Sequence, residues 1–369
     1  MKTMMFLLAG VAMVAAGSGV AYAQGGSSAV PFLLISPNSR ASGMGEAGAG
    51  LADDAGAVYW NPAGLAFLNG SEVSITHANW LPQFHLADLF YDYLNYRQDV
   101  PELGGTVAGS VTYLNLGEFT VTNETGPTPI GQFKAFEVAA TVGYGTTIAD
   151  NLGLGMNLRF INDALSPIGA GSEQGNGIAY DMSFDIAVLY KPKSFYVPFT
   201  DVDLGDWFSV GANLSNLGPK VAYIDAAQAD PLPTNLRLGF GFTPLNDDYN
   251  RFEIALDFSR LLVQRNGIYS DPLPKSLITS WTEPGLNGVL RSTQTSIGCE
   301  YLYNKLIALR AGYFYEDPDY GDRKFMTYGA GIRYDIYGFD FSYDSASDLD
   351  SPLSDTLRFT LLIIWGGGN

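Results

Sequence analysis

His77 and His85 are the two residues best suited to act as a general base or to bind a metal. A serine hydrolase needs a nucleophile, a base and an acid that converge, and the mature chain contains no Gly-x-Ser-x-Gly elbow. Both histidines flank Trp80 without the spacing of a zinc pair, and Cys299 is the single cysteine. We therefore interpret both histidines as polar residues of a rim or lumen, predict no catalytic residue, and rank an envelope lipid deacylase lowest among the functions considered.

Two groups of acidic residues carry the oxygen ligands that calcium prefers. Neither group follows the spacing of a calcium loop, so we interpret both as solvated acidic loops and predict no metal. The groups are Glu316, Asp317, Asp319 and Asp322, and Asp344, Asp348, Asp350 and Asp355.

Residues 43–48, Gly-Met-Gly-Glu-Ala-Gly, match the dinucleotide-binding fingerprint letter for letter. That fingerprint works only between a strand and a helix, and Pro37 breaks the preceding segment. We therefore predict no cofactor. The glycines instead permit close packing inside a lumen.

The elements that would position these residues are strands. From Ser71 onward apolar and polar side chains alternate with a period of two, most clearly over 152–160, 180–188, 236–242 and 337–343. A soluble antiparallel sandwich also alternates, but aromatic residues near the segment ends favour the girdles of an outer-membrane barrel. These aromatic residues are Tyr190, Tyr301, Tyr303, Tyr313, Tyr315, Tyr328, Tyr334, Tyr337, Tyr343 and Trp365.

The fold predicted is all-β, a 14-stranded antiparallel transmembrane barrel. Short connections alternate with long ones almost throughout, as expected for turns inside and loops outside; the inside connection 192–206 is the exception, and 118–123 is interpreted as loop. The strands are predicted near 71–79, 86–96, 104–116, 132–147, 151–163, 177–191, 207–217, 234–244, 251–262, 293–303, 305–315, 324–336, 337–346 and 355–365.

Charged residues on the polar side of these strands would face the lumen. They could form a selectivity ring, but buried charges need partners, so we favour hydrogen bonding with one another and with an internal plug. These lumen residues are Arg159, Asp181, Asp185, Arg237, Glu253, Asp257, Arg310, Arg333 and Asp340.

Composition limits the class of partner. The chain has 38 acidic against 20 basic residues and a formal net charge of −18. Nucleic-acid binders carry basic patches, so nucleic acid is excluded as a partner. With Cys299 alone, structural disulfides are excluded as well.

The chain divides into four parts. Lys2, an apolar run over 6–16 and the small-x-small site ending at Ala23 predict a signal peptide over 1–23, since the run is too short to span a membrane. Residues 24–70 lack alternation and are interpreted as a plug or hatch, 71–365 as the barrel and 366–369 as a short tail.

A resemblance to a known family is carried by two motifs. The amino-terminal motif comprises Ser36, Pro37, Arg40, Gly43, Met44 and Gly45; the hatch motif comprises Trp60, Asn61, Pro62, Ala63 and Gly64. With them the chain resembles the PorV/PorQ group of type IX secretion system outer-membrane proteins, within the FadL-like barrel superfamily, which shares the element Asn-Pro-Ala-Gly on its hatch. One departure is the Gly-Gly-Gly-Asn tail after the last aromatic residue, where the usual pattern stops.

The resemblance implies a non-enzymatic protein of the outer membrane, in contact with its lipid. Such a protein docks beside a translocon barrel, receives cargo through the cargo's carboxy-terminal signal domain and passes it to the attachment complex. Within the long outer loop 262–292, Tyr269 and Trp281 are the residues expected to bind a partner. A loop folded back over the lumen, and a FadL-like passive transporter of hydrophobic molecules, remain open alternatives.

We predict that the mature protein begins at Gln24 and migrates as a heat-modifiable outer-membrane barrel, because closed hydrogen-bonded strands resist detergent. Amino-terminal sequencing and gel migration with and without boiling test this. Recovery of the protein in the soluble periplasm would contradict the barrel assignment.

Overall fold

Strands form where the sequence alternates. In the computed structural model, residues 28–84, 88–123, 126–166, 176–196, 199–201, 203–223, 228–267, 269–346 and 353–366 are described. The signal peptide, His85, Asp348, Asp350 and all of the predicted tail except Gly366 lie outside these residues, and so do the predictions made for them.

Within the described residues, fourteen long antiparallel strands close into a barrel, each pairing with its neighbours along the chain and β1 with β18. Two pairs of two-residue strands, β8 with β9 and β12 with β13, lie outside the barrel wall. The strands are β1 Ser71–Asn79, β2 Phe90–Val100, β3 Gly105–Asn123, β4 Gly126–Ala149, β5 Leu152–Ser166, β6 Gly177–Tyr190, β7 Phe208–Leu217, β8 Lys220–Val221, β9 Asp230–Pro231, β10 Asn235–Asn246, β11 Asn250–Leu261, β12 Arg265–Asn266, β13 Tyr269–Ser270, β14 Gln294–Tyr303, β15 Ile307–Tyr315, β16 Lys324–Tyr334, β17 Tyr337–Ala346 and β18 Thr356–Trp365.

The helices are short. None of those in the described residues is long and apolar enough to cross a membrane. They are α1 Ser39–Ser42, α2 Ala57–Trp60, α3 Leu273–Thr282 and α4 Gly285–Arg291, with 3₁₀ turns at Pro31–Leu34, Pro62–Phe67, Pro82–Phe84 and Pro101–Leu103.

The two faces of the wall differ as the alternation predicts. On β5, Met156, Leu158 and Phe160 are exposed on the outer surface, while Asn157 and Arg159 between them are buried on the inside. An apolar outer face suits lipid, and a polar inner face must find partners within the lumen. The protein is an outer-membrane β-barrel, as the sequence predicts.

The two ends of the barrel differ in their connections. We call the end that carries the start of β1 and the end of β18 the turn end; its connections 101–104, 150–151, 247–249, 304–306 and 335–336 are short. The opposite, loop end carries the longer connections, which in outer-membrane barrels face outward. The exception anticipated from the sequence, the connection between β6 and β7, is at the turn end.

The interpretation of 118–123 as loop is wrong. These residues extend β3, which pairs with β4 from Gly105↔Thr146 to Val121↔Gly131 and on to the tip. A bulge beside Asn115 shifts the register there, and this breaks the alternation on which the sequence prediction relied. At about 3.4 Å per residue, the 24 residues of β4 are much longer than the apolar band of about 25 Å. The end of this hairpin therefore projects beyond the membrane.

The prediction of a long outer loop over 262–292 is incomplete, because α3 and α4 lie within it. Pro274 stands in the first turn of α3, where a proline costs no hydrogen bond and favours helix initiation. Tyr269, predicted to lie off any strand, belongs to the two-residue strand β13.

Candidate functional site

Residues 28–70, the lumen segment, lie inside the barrel and run along its length. Near the loop end the Ala29 N–H donates to the Pro231 carbonyl (2.9 Å). Near the turn end the Thr106 hydroxyl donates to the Leu68 carbonyl (3.1 Å). The segment then continues directly into β1.

Glycines let the segment approach the wall closely. Gly45 has φ +67°, and a Cβ there would lie 2.6 Å from the Tyr313 nitrogen and 2.7 Å from the Ile297 carbonyl oxygen. Met44 is buried, and the neighbouring Gly43 would place a Cβ 3.1 Å from the Cα of Gly329. A side chain at Gly45 would be strained by both backbone conformation and space.

Asn61 fixes the bend of the hatch motif. It is extended (φ −163°, ψ 97°), as expected before Pro62, and its side-chain oxygen accepts the Ala63 N–H at 3.1 Å. The side-chain amide donates to the carbonyls of Ala49 (3.0 Å) and Val188 (3.1 Å), the second of which belongs to the barrel wall. One fully buried side chain thus joins two turns of the segment to β6.

The rest of the hatch motif packs around this bend. The Trp60 indole N–H donates to the Asn38 side-chain oxygen (3.0 Å), and Arg237 of the wall lies 4.9 Å from the Trp60 ring centroid. Ala63 is fully buried, and a Cβ at Gly64 would lie 2.1 Å from the Ala52 oxygen.

Arg40 joins the segment to another part of the wall, formed by β11 and β14. Its guanidinium contacts Asp53 (2.5 Å) and Asp54 (3.1 Å) of the segment, and Glu253 (3.2 Å) and Glu300 (2.9 Å) of the wall. Asp53 also pairs with Arg251 of the wall at 3.0 Å, so its carboxylate has two counter-charges.

The predicted lumen charges extend this network. Arg310 bridges Glu300 (2.5 Å) and Asp340 (2.8 Å), and Arg333 contacts Asp340 at 2.7 Å. The Glu300 carboxylate is thereby shared between Arg40 of the segment and Arg310 of the wall. We therefore call Arg40 and these surrounding charged groups the Arg40 network.

Two further pairs of lumen charges lie elsewhere on the wall. Asp257 accepts the N–H groups of Gly48 and Ala49, both at 2.9 Å, and lies 3.5 Å from Arg237. Arg159 pairs with Asp185 at 2.7 Å.

Asp181 is the predicted lumen residue that departs from the pattern. It is half-buried and accepts the Met182 N–H at 2.7 Å. Within the described part of the chain it makes no ion pair.

Ser36 and Pro37, two other residues of the amino-terminal motif, are buried. The hydroxyls of Ser36 and Ser42 are 2.6 Å apart, and Pro37 is buried before α1.

The space left inside the lumen is small. A cavity of about 180 Å³ adjoins the Arg40 network. Two others between segment and wall hold about 10 and 20 Å³, room for about one water each.

The helix pair, α3 with α4, is the second candidate site and lies at the loop end. Leu286 is 77% exposed and Leu290 64%, with Ile278 and Tyr269 exposed beside them. Trp281 is 40% exposed, and Arg260 of the wall covers one face of its ring at 4.7 Å. Leu286 and Leu290 were not predicted as partner-binding residues. Their i, i+4 spacing would have placed both on one face of a helix.

Two arginines hold the helix pair to the barrel. The Arg260 guanidinium donates to the Ser280 carbonyl and to the Ser292 hydroxyl (2.9 Å). Arg291 contacts Asp317 at 3.0 Å. The apolar residues of the pair are therefore presented to solvent on an anchored support.

The residues considered for chemistry are placed as follows. His77 is exposed on the outer face of β1, with its Nδ1 2.7 Å from the Asp92 carboxylate. The interpretation as solvated loops is wrong for Glu316 and Asp344, which are buried and pair with Arg323 (2.7 Å) and Arg358 (2.5 Å). In the described part of the chain no group of three or more histidine, cysteine or acidic residues is placed to hold a metal.

Comparison with known proteins identifies the family. The model of the family described as type IX secretion system protein PorV matches residues 22–267. No curated protein sequence matches the chain.

One solved structure with a TM-score above 0.5 shares the barrel fold. The CymD monoaromatic hydrocarbon channel is 13% identical over 91% of this chain and 99% of its own, with a TM-score of 0.52. The toluene transporter TodX of Pseudomonas putida is 13% identical over 89% of this chain and 96% of its own, with a TM-score of 0.49. At such identities the likeness to CymD concerns the fold alone.

Replacing Asn61 with Leu should loosen the lumen segment. The change removes the cap on Ala63 and leaves the buried Ala49 and Val188 carbonyls without their amide donor, at a cost of about 1–3 kcal/mol. Limited proteolysis of residues 24–70 and single-channel conductance in planar bilayers measure the effect. Unchanged protease resistance together with unchanged conductance would show that Asn61 is dispensable to the plug.

Replacing Arg40 with Met should destabilise the folded barrel by about 3–5 kcal/mol, because buried carboxylates lose their counter-charge. Urea unfolding of the purified protein in detergent micelles measures this. The double variant Arg40→Met with Asp54→Asn should recover part of the loss, since Arg40 is the one ion-pair partner of Asp54 in the described part of the chain. If the double variant is less stable than the single one, electrostatic pairing does not explain the role of Arg40.

Proposed function

Since the chain belongs to the family of type IX secretion system protein PorV, we propose that it docks on the translocon barrel of that system in the outer membrane. In this role it receives exported cargo through the cargo's carboxy-terminal signal domain and hands it to the proteins of the attachment complex. The barrel would serve as a membrane-anchored support for protein contacts, with no catalytic residue.

The single observation that supports docking is the helix pair. Its apolar side chains point into solvent at the loop end, where an unpartnered apolar surface carries a cost in water. Arg260 and Arg291 hold the pair in place, so binding a partner there requires little further ordering of the chain. We expect Leu286 and Leu290 to contribute with Tyr269 and Trp281, since a few buried anchors dominate most interfaces.

The alternative function, passive transport of hydrophobic small molecules, also has an observation in its favour. A cavity of about 240 Å³ lies beneath α3, and its lining includes Leu232, Leu262, Val263 and Leu273. An apolar cavity at the mouth suits an apolar solute. Against free passage stands the lumen segment, beside which cavities of about 10, 20 and 180 Å³ lie.

Replacing Leu286 and Leu290 together with Ser should reduce co-purification of the translocon barrel at least tenfold and block release of cargo, because each loses an apolar anchor. Both residues are exposed, so the barrel itself should fold normally and remain heat-modifiable. The pair Tyr269→Ser with Trp281→Ser should act in the same direction.

A matched control is Tyr249→Ser, which changes an equally exposed aromatic residue at the turn end (62% exposed) and should leave secretion unchanged. Uptake of a radiolabelled aromatic hydrocarbon is measured in the same strains. Normal secretion with reduced uptake in the Leu286/Leu290 variant would favour transport over docking.

A further inference from the structure

Two buried carboxylates on the inner face of the wall lie directly opposite each other. Glu137 of β4 is the register partner of Asp163 of β5, and the two residues are 6% and 1% exposed. Residues directly opposite in an antiparallel pair have Cβ atoms about 4.5–5.5 Å apart, and like charges at that spacing destabilise the sheet. Two ionised carboxylates placed in this way therefore need a positive charge close by.

The other buried carboxylates of the described residues have such a charge. Each lies within 3.5 Å of an arginine or lysine nitrogen. Glu137 and Asp163 are the exceptions, because neither makes an ion pair within the part of the chain that the structure describes. The paired carboxylates are those of Glu72, Asp185, Glu253, Asp257, Asp271, Glu300, Glu316, Asp340 and Asp344.

Hydrogen bonds satisfy only part of this pair. The Tyr223 hydroxyl donates to Oδ2 of Asp163. Oδ1 of the same carboxylate is buried and has no partner among the described residues, and Glu137 makes no hydrogen bond with them either. A buried acceptor without a donor or a cation carries a cost in free energy, so the pair has an unmet need for a ligand.

The surroundings of the pair offer no replacement for a cation. Arg159, the arginine of β5, also faces the lumen, but it is paired with Asp185 at 2.7 Å. The inward neighbours of Glu137 and Asp163, on their own strands and on β3 and β6, are buried and apolar. These neighbours are Leu114, Ala139, Ile161 and Ala179.

We propose that Glu137 and Asp163 together bind one divalent metal ion, with calcium preferred, between β4 and β5. Oδ1 of Asp163 is available to the ion while Oδ2 keeps the Tyr223 hydroxyl, and the Glu137 carboxylate can contribute one or two oxygens. Calcium accepts carboxylates in either mode and tolerates irregular geometry, whereas magnesium demands a nearly ideal octahedron. Because the pair supplies only a few oxygens, water completes the coordination shell.

The site lies at the loop end of the wall and goes beyond the docking function proposed above. Pairing of β4 with β5 begins there at Phe136↔Ala164, next to the two acids. An ion bound at this end is exchanged with the external medium, where calcium sites commonly have dissociation constants of about 10⁻⁴–10⁻³ M. Through Tyr223 the same ion also holds the connection that follows β8.

The test is equilibrium dialysis of radioactive calcium against the purified full-length barrel in detergent, after EDTA treatment and in excess potassium chloride. The wild type should bind one ion per chain, and magnesium should compete weakly. Glu137→Gln and Asp163→Asn should each weaken calcium binding at least about tenfold, since each removes a charged ligand. Glu118→Gln is the matched control, because Glu118 is an exposed acid of β3 at the same end, and it should bind calcium normally.

Urea unfolding gives a second measurement. Calcium should raise the unfolding midpoint of the wild type, because the ion binds the folded state, and should not raise that of the double variant Glu137→Gln with Asp163→Asn. In EDTA the double variant should be at least as stable as the wild type, since amides remove the repulsion between like charges.

Two results would overturn the site, provided that heat-modifiability shows the variants to be folded. One is calcium binding by the double variant equal to that of the wild type. The other is a wild type that binds neither calcium nor magnesium and is stabilised instead by lowering the pH, which would make a shared proton the partner of the two carboxylates.

Discussion

Every peptide group in the hydrocarbon layer must find its hydrogen bond within the protein, because lipid offers neither donors nor acceptors. The pairing of β1 with β18, from Ser71↔Trp365 to Ala78↔Arg358, meets this demand by leaving no edge between the first and last strands. The alternation of apolar and polar side chains follows from this closure, since a closed wall with an apolar exterior must direct its polar side chains into the lumen. Only above the membrane can strands extend past their neighbours, as β3 does beyond Asn115 and β4 does before Phe136.

The inward charges and the lumen segment depend on each other. Glu253 and Glu300 are buried on the wall and need a cation, which Arg40 brings from the segment. The backbone of the segment in turn needs acceptors, and Asp257 accepts two of its N–H groups. A buried ion pair of this kind adds little net stability compared with an apolar core, but removing one partner is costly. The network therefore specifies where the segment lies more than it stabilises the barrel.

Much of the barrel could be predicted from the sequence. The bounds of β1 and β17 match the prediction, because turns flank an unbroken alternation in each. The prediction failed where local signals conflict: the bulge at Asn115 interrupts the pattern of β3, and the helix pair is short and contains prolines. β2 begins at Phe90, four residues later than predicted.

The contact partners of the candidate residues could not be predicted from the sequence. Arg40 and Glu300 are 260 positions apart, and no periodicity reports a contact over that distance. The sequence placed Arg310 and Asp340 on the inner face through alternation alone, but it could not show that they share one network with Arg40. Asp181 has the same alternation, yet it lies outside that network, because alternation fixes the face of a side chain and not its depth.

The position of the lumen segment constrains the order in which the protein assembles. Residues 29–68 run along the inside of a barrel. The barrel is closed by the pairing of β1 with β18, the first and last strands in the chain. Once that seam has formed, cavities of about 10, 20 and 180 Å³ lie beside the segment, too small for a polypeptide to be threaded through. The segment must therefore be in place before the seam closes. It is synthesised before every strand of the barrel, and it already lies in the lumen when β18 pairs with β1.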